Sequence, residues 1–514
     1  MSDERPQDAE KGNAGGGAVL ERGLLPGTAR DKARTGLGWT LMGQWSGYLL
    51  QILTMIALAR LLTPADFGLV GMALALTAFV DRFRGLGLSQ AVVQHDALTL
   101  NHVNGLFWVN ALAGVVFAAV VSAVGPLLVA FFGRDELLGI TAALSTMYVF
   151  SALAVQHTAL LSRRMEFRKL ALRPVFAQVP ATLLAVAAAV LGAGYWSLVI
   201  LYVSLTLFSL LFVWSAVPWR PGWPRDMRAT LPLVRFGAGI TIADLLNALG
   251  SNADKVLIGK FLGAAPLGFY SRAYGLLMLP MRQLRAPVGG VLLPMLASLR
   301  NEPERFRRLY CGALSGLTHL GAPVVAVLAI TAEQLVVVTL GPHWREAGRV
   351  FQLLAVVGLL QLSATTCGWL FTTSGRSRQY ARWALVTTMV TVASFVVGLR
   401  WGINGVAASF VASALLLTWP SFALAVIGTP VRLKDIVGAV WRPLVVALGV
   451  AAAARAALVM TAGQADVVEL AAGVVGGGLA WGLLMVTWRR ARAEVAEILG
   501  LFLQSRAGRR IRRV

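Results

Sequence analysis

Between Asp254 and Arg285 the chain reads DKVLIGKFLGAAPLGFYSRAYGLLMLPMRQLR. Two apolar segments meet at Gly263-Ala264-Ala265-Pro266. Each carries fixed charge: Asp254, Lys255 and Lys260 before the turn, Arg272, Arg282 and Arg285 after it. On a helix in water these would be ordinary surface charges. At the centre of a bilayer each costs about 2.5–3.5 kcal/mol on insertion scales. Such side chains therefore turn into a bundle, pair with one another, or snorkel to an interface. The stretch is expected to form half the wall of a water-filled, cationic cavity; an interfacial anchor is the second reading of each cation. A proton or sodium site needs a titratable group inside the membrane. Asp244 is the first candidate for ion coupling and Asp254 the second. His157 and His319 titrate near neutrality when free, but a lone histidine in an apolar helix is more often a packing residue.

The composition says why the solvent is lipid. Of 514 residues 57% are hydrophobic and only 14% charged, and the mean hydropathy is +0.70. The formal net charge is +22. The cations sit mostly in short loops between apolar runs, a pattern of membrane orientation and not of nucleic-acid binding. Cys311 and Cys367 lie in apolar runs without metal-ligand spacing. No Walker A loop, HExxH or GxSxG is present, and Gly85-Leu86-Gly87 is too short for a dinucleotide fingerprint. No cofactor is expected.

Residues 1–34 are polar and Gly-rich, with no apolar segment beside a basic start; they read as a disordered cytoplasmic tail and not a signal peptide. Apolar runs long enough to span a bilayer then follow at Trp39–Leu62, from Phe67 into Asp81, Leu106–Phe131, Leu137–Leu161, Val175–Leu191 and Tyr195–Val217. The second half gives Phe236–Leu262, Leu267–Leu296, Leu314–Leu340, Val350–Thr372, Trp383–Val397, Ile403–Ile427, Val437–Leu458 and Val467–Trp488. The expected organisation is 35–218 as a first lobe, 219–232 as a cytoplasmic linker, 233–430 as a second lobe, 431–490 as two further spans and 491–514 as a basic tail. The prolines and tryptophans of PWRPGWP, which open the linker, look like an interfacial belt. Loops after even-numbered spans carry the cations, among them Arg163, Arg164, Arg168, Lys169 and Arg173. Loops after odd-numbered spans are nearly bare, as at Gly192-Ala193-Gly194. The positive-inside rule then puts both termini in the cytoplasm. The glycines from Gly473 to Gly478 permit close helix packing.

The chain also repeats itself. LARLLTPADFGLVGMA, from Leu58, reads against IGKFLGAAPLGFYSRA, from Ile258, pairing Arg60 with Lys260, Leu62 with Leu262 and Gly68 with Gly268. Two facing bundles built from such repeats are a common transporter plan. With LLPMLASLRNEPERFRRLY and GPHWREAGRVFQLLAVVGLLQ, these stretches resemble the Wzx/WzxC-like polysaccharide transporters. That family belongs to the superfamily of multidrug, oligosaccharidyl-lipid and polysaccharide exporters. The likeness runs from about Gly36 to Gly428.

The resemblance implies an all-α polytopic membrane protein of about fourteen transmembrane helices, with two pseudo-symmetric six-helix lobes around a central cavity and two C-terminal helices added. It implies a flippase of the bacterial inner membrane that moves undecaprenyl-diphosphate-linked sugar repeats by alternating access, for lipopolysaccharide or exopolysaccharide synthesis. The partners would be the lipid-linked oligosaccharide, membrane lipid, and a polymerase with its chain-length regulator. For such a substrate the diphosphate needs cations, which arginine engages through two parallel bonds. The candidates are Arg272 above all, then Lys260, Lys255, Arg282, Arg285, Arg82 and Arg84. Asn247, Ser251, Asn252, Tyr270 and Tyr274 would serve the sugar. A cation-coupled drug antiporter of the same superfamily is the alternative. A membrane polymerase would need a large outer loop, and the outward loops are short.

Overall fold

The computed structural model describes residues 26–81, 99–224, 252–488 and 492. Arg82, Arg84, Asp244, Asn247 and Ser251 lie outside them. The described chain is helical throughout and divides into two compact units, 1–260 and 261–514. Among the described residues ten stretches are long and apolar enough to cross a membrane, and two of them, Pro342–Thr373 and Ser377–Val426, each hold two α-helices. The fully helical form follows from the solvent. Hydrocarbon offers no partner for a peptide group, so each segment must satisfy its own backbone.

In the first unit the helices are α1 (Pro26–Leu61), α2 (Pro64–Asp81), α3 (Leu100–Phe132), α4 (Glu136–Arg163), α5 (Phe167–Val190) and α6 (Trp196–Ala216). The short α7 (Ala253–Phe261) closes it. Thr99 caps α3: its hydroxyl accepts from the His102 amide at 3.4 Å, and its own amide donates to His102 Nδ1 at 3.3 Å. Gly133, at φ +70°, ends that helix in the left-handed region. α3 pairs with α4, α4 with α6, and α5 lies between α1 and α6. Glycine sets the closest approaches. A Cβ on Gly114 would sit 2.4 Å from the Ala152 methyl and 3.0 Å from the Tyr148 carbonyl oxygen. Between α1 and α5, Gln178 donates to the hydroxyls of Thr54 (3.0 Å) and Thr182 (3.3 Å), which bond each other at 2.7 Å. Such polar glue works in a membrane because lipid cannot compete for the bonds.

The second unit holds α8 (Ala264–Ser298), α9 (Pro303–Ile330), α10 (Ala332–Leu340), α11 (Arg345–Ala364), α12 (Cys367–Thr373), α13 (Ser377–Gly398), α14 (Gly402–Val426), α15 (Leu433–Met460) and α16 (Asp466–Thr487). α9 is its centre, packed on α8, α11, α15 and α16. Two expected spans differ from this. Leu314–Leu340 is interrupted at Thr331, between α9 and α10, and Val350–Thr372 at Thr365-Thr366, between α11 and α12. The apolar character continues through both breaks, so hydropathy does not reveal them. At each break a threonine bonds back by both its amide and its hydroxyl: the Thr331 hydroxyl reaches Val327 O at 2.9 Å and the Thr366 hydroxyl Ser363 O at 2.7 Å, the same carbonyls their amides reach.

The last two helices pack through the expected glycines. A Cβ on Gly473 would meet Thr331 Cγ2 at 2.5 Å, and one on Gly477 would meet Val327 Cγ2 at 2.5 Å. Glu469 of α16 accepts from Gln334 Nε2 of α10 at 2.9 Å and from the Gly463 amide at 3.1 Å. The outer faces are apolar: Leu448 and Leu479 are each 70% exposed. In water such faces would aggregate; in lipid they are solvated. Gly114→Ala forces α3 and α4 apart, and overpacking of this kind costs about 1–3 kcal/mol. A lowered thermal unfolding midpoint of the detergent-purified protein is the expected result.

Candidate functional site

The two repeated stretches fold alike. α1 ends at Leu61 and α2 begins at Pro64; α7 ends at Phe261 and α8 begins at Ala264. Two residues separate the helices each time, but the chemistry of the break differs. In the first, the Asp66 carboxylate accepts from both the Thr63 amide (2.9 Å) and the Thr63 hydroxyl (2.6 Å). In the second, Gly263 turns the chain at φ +97°, which side chains rarely tolerate. Leu267 and Phe67, facing inward after each turn, are both buried.

The candidate residues around the second turn occupy distinct settings. Asp254 is buried and accepts the Lys255 amide at 2.8 Å. The Lys255 ammonium donates to Asn252 Oδ1 at 2.8 Å, so a lysine and an amide from the candidate set do meet. Tyr270 is buried and stacks in parallel with Tyr274, the ring centres 6.2 Å apart. Arg272 is half-buried, on a different side of α8 from that pair. From Leu262 to Met281 every residue is buried or half-buried. Arg282 and Arg285 follow on the same helix. Lys260 stands apart: it is exposed, its ammonium donates to the Phe131 carbonyl, and it lies 4.9 Å from the Phe131 ring centre. There it caps the end of α3. His319 is buried, with Nδ1 3.0 Å from the Ser315 carbonyl oxygen, as a packing histidine would be.

Two features of the first unit escape the sequence. Arg173, counted there among loop cations, is the seventh residue of α5, one turn before the buried stripe of Ala177, Ala181 and Ala185. Its guanidinium donates to Thr158 Oγ1 of α4 at 3.1 Å. The missed signal is positional, since the stripe spacing extends back through Arg173 and the loop ends at Phe167. The second feature is an aromatic lock on the segment after α6. Trp219 turns inward, 5.0 Å from the His157 ring and 5.9 Å from Phe107. His157 in turn stacks on Trp214 at 4.8 Å. Trp223, 79% exposed, stacks on Trp108 at 4.5 Å, and Trp108 Nε1 donates to the Gly222 carbonyl at 3.0 Å. Arg220 donates to the carbonyls of Trp214, Val217 and Trp219 at 3.0–3.1 Å, closing α6.

Residues 57–349 match the profile of the family described as polysaccharide biosynthesis protein. The chain belongs to that family. The match takes in both repeated turns, Arg173, the aromatic lock and α8. Curated relatives agree with it. The lipopolysaccharide biosynthesis protein WzxC of Escherichia coli K12 is 24% identical, over 82% of this chain and 84% of its own length. The succinoglycan biosynthesis transport protein ExoT of Rhizobium meliloti is 28% identical, over 70% and 73%. The teichuronic acid biosynthesis protein TuaB of Bacillus subtilis is 25% identical, over 67% and 71%. Among solved structures, the lipid II flippase MurJ in an inward closed conformation is similar at a TM-score of 0.68 and 11% identity, covering 88% of this chain and 99% of that one. An inward-facing multidrug transporter of the MATE family gives 0.61 at 14% identity, over 74% and 94%. These two likenesses concern the fold: the chain is an all-helical, multi-pass membrane protein built like those transporters.

Trp219→Ala empties the pocket against His157 and Phe107. The loss of a half-buried indole is expected to cost about 2 kcal/mol, below the range for fully buried aromatics. A lower unfolding midpoint of the detergent-purified variant is the measurement, with an unchanged midpoint counting against the lock.

Proposed function

We propose that this chain is a flippase for undecaprenyl-diphosphate-linked oligosaccharide repeats, moving them from the cytoplasmic to the periplasmic leaflet of a bacterial inner membrane. The family match carries the reading: relatives over most of the chain are named for the biosynthesis or transport of lipopolysaccharide and succinoglycan. The fold alone does not separate it from a multidrug antiporter, since both transporter kinds share that fold. The family and the relatives favour the glycolipid.

The chain works in this reading as a carrier and not as an enzyme. Lobes at 35–218 and 233–430 would alternate in access, with 431–490 as an added pair, 219–232 as the linker, and cytoplasmic tails at 1–34 and 491–514. The cation-rich loops support this orientation. Arg272, Lys255, Arg282, Arg285, Arg82 and Arg84 would meet the diphosphate, and Lys260 only if it leaves the Phe131 carbonyl. Asn247, Asn252, Tyr270 and Tyr274 would meet the sugar, and Asp244 or Asp254 would couple an ion. A polymerase and a chain-length regulator would receive the product.

Deleting the gene should trap lipid-linked repeats on the cytoplasmic leaflet and stop the polymer. Unchanged polymer and unchanged intermediates would exclude the assignment. Arg272→Ala removes one or two charge-assisted bonds worth about 1.5–3 kcal/mol each, which predicts a tenfold or larger loss of export, by the rule of about 1.4 kcal/mol per tenfold. Export is to be measured at equal membrane content, and wild-type export would remove Arg272 from the site. For coupling, Asp254→Asn is expected to change the sodium or pH dependence of uptake into vesicles. An unaltered profile leaves Asp244 as the candidate.

A further inference from the structure

We propose that the cation-rich ends of α4 and α5 hold an anionic phosphate head group of a lipid, anchored by Arg173 and Arg164. Most cations at this end have partners from the chain. Lys169 pairs with Glu166 at 2.6 Å and donates to the Ala216 carbonyl at 2.9 Å. Arg168 lies 5.3 Å over the Trp39 ring, and Arg220 serves the carbonyls that end α6. Arg173 and Arg164 differ. Arg173 is half-buried, and its hydrogen bond is to a neutral hydroxyl, that of Thr158. Among the described residues no carboxylate lies within ion-pair distance of it. The Nε of Arg164 is buried without a partner.

Position excludes the usual escape. Arg173 stands six residues into α5, roughly 9 Å along the axis, and its guanidinium is drawn across to α4 instead of snorkelling to the helix end. Drawing a guanidinium away from water without a counter-charge is unfavourable. The turn between the helices is held firmly. The Arg164 amide bonds Leu160 O at 2.9 Å, and the Glu166 amide bonds Leu161 O at 3.0 Å. Met165 takes φ +55°, a left-handed position that glycine usually fills at a helix end. Backbone strain of this kind persists where the surroundings require it. Between residues 158 and 173 the cations Arg163, Arg164, Arg168, Lys169 and Arg173 face one acid, Glu166. An anion that reaches a membrane interface and matches the planar fork of arginine is a phosphate. The Thr158 hydroxyl donates to Ala154 O and so leaves the phosphate to the arginines.

Two lipids carry that chemistry: a resident anionic phospholipid and the diphosphate lipid of the proposed function. Only the second rests on that function. The test is thermal unfolding of the full chain in detergent with phosphatidylglycerol, undecaprenyl diphosphate or phosphatidylcholine added. A ligand that binds only the folded state raises the midpoint. At least one anionic lipid should raise it by several degrees more than phosphatidylcholine does, and Arg173→Gln should abolish the excess. A shift with phosphatidylglycerol identifies a phospholipid site, and a shift with undecaprenyl diphosphate alone identifies a substrate site. No excess shift, or a full shift in Arg173→Gln, overturns the proposal. Should Arg173→Gln fail to fold, Arg164→Gln decides in the same way. Trapped repeats in the deletion strain without any shift would reject this site and keep the flippase. A phosphatidylglycerol shift without trapping would do the reverse.

Discussion

Hydrocarbon cannot hydrogen-bond, and this constraint governs the molecule from the peptide group upward. Each helix closes its own ladder, and hydroxyls inside the spans turn back onto it. Thr54 bonds Leu50 O, Thr318 bonds Leu314 O and Thr339 bonds Leu335 O, each four residues earlier. The last carbonyls of a helix have no such recourse, and cations reach them. Lys260 serves Phe131 at the end of α3 and Lys169 serves Ala216 at the end of α6. At the end of α14, Arg376 donates to Leu424 O at 3.1 Å and Ala425 O at 2.7 Å. The helix dipole favours positive charge at these ends. Part of the excess of basic residues is thus structural, in addition to any role in orientation.

With lipid on the outside, burial of apolar area does little to hold helices together. Close approach has to do it, and the contacts at Gly114, Gly473 and Gly477 show the means. The same demand explains why α16 joins the second unit by a glycine face and a carboxylate bound to Gln334 while leaving most of its leucines and valines to the lipid. The aromatic lock after α6 uses the third available force, stacking of large flat rings. It fixes the first residues beyond the helix onto α3 and α4.

Against this background, charges that do not serve a helix end are informative. Arg272 sits within a stretch of α8 that has no exposed residue, and Asp254 is buried in the first turn of α7. Arg173 is held inside α5 by a hydroxyl. Keeping such groups away from water is expensive, and a carrier of charged glycolipids has a use for them that a passive membrane scaffold lacks.

The amino-acid order determined the solvent, most of the spans and the repeated turn, because these depend on local properties: runs of apolar residues, cations between them, and a proline or glycine where the chain reverses. α3, α4, α6, α15 and α16 lie within a few residues of the limits read from hydropathy, apart from the longer starts of α3 and α15. Candidate residues on α7 and α8 could be named from sequence, but whether each turns inward could not. Lys260 and Arg272 look alike in sequence; one is exposed on a helix end and the other half-buried. The breaks at Thr331 and Thr365-Thr366 fall within apolar runs that hydropathy reads as unbroken. Arg173 merges into a basic loop when read in one dimension, and Trp219 into an interfacial belt. Only the tertiary structure separates them, because a side chain's environment is set by residues distant in sequence, here Thr158 for the arginine and His157 for the tryptophan.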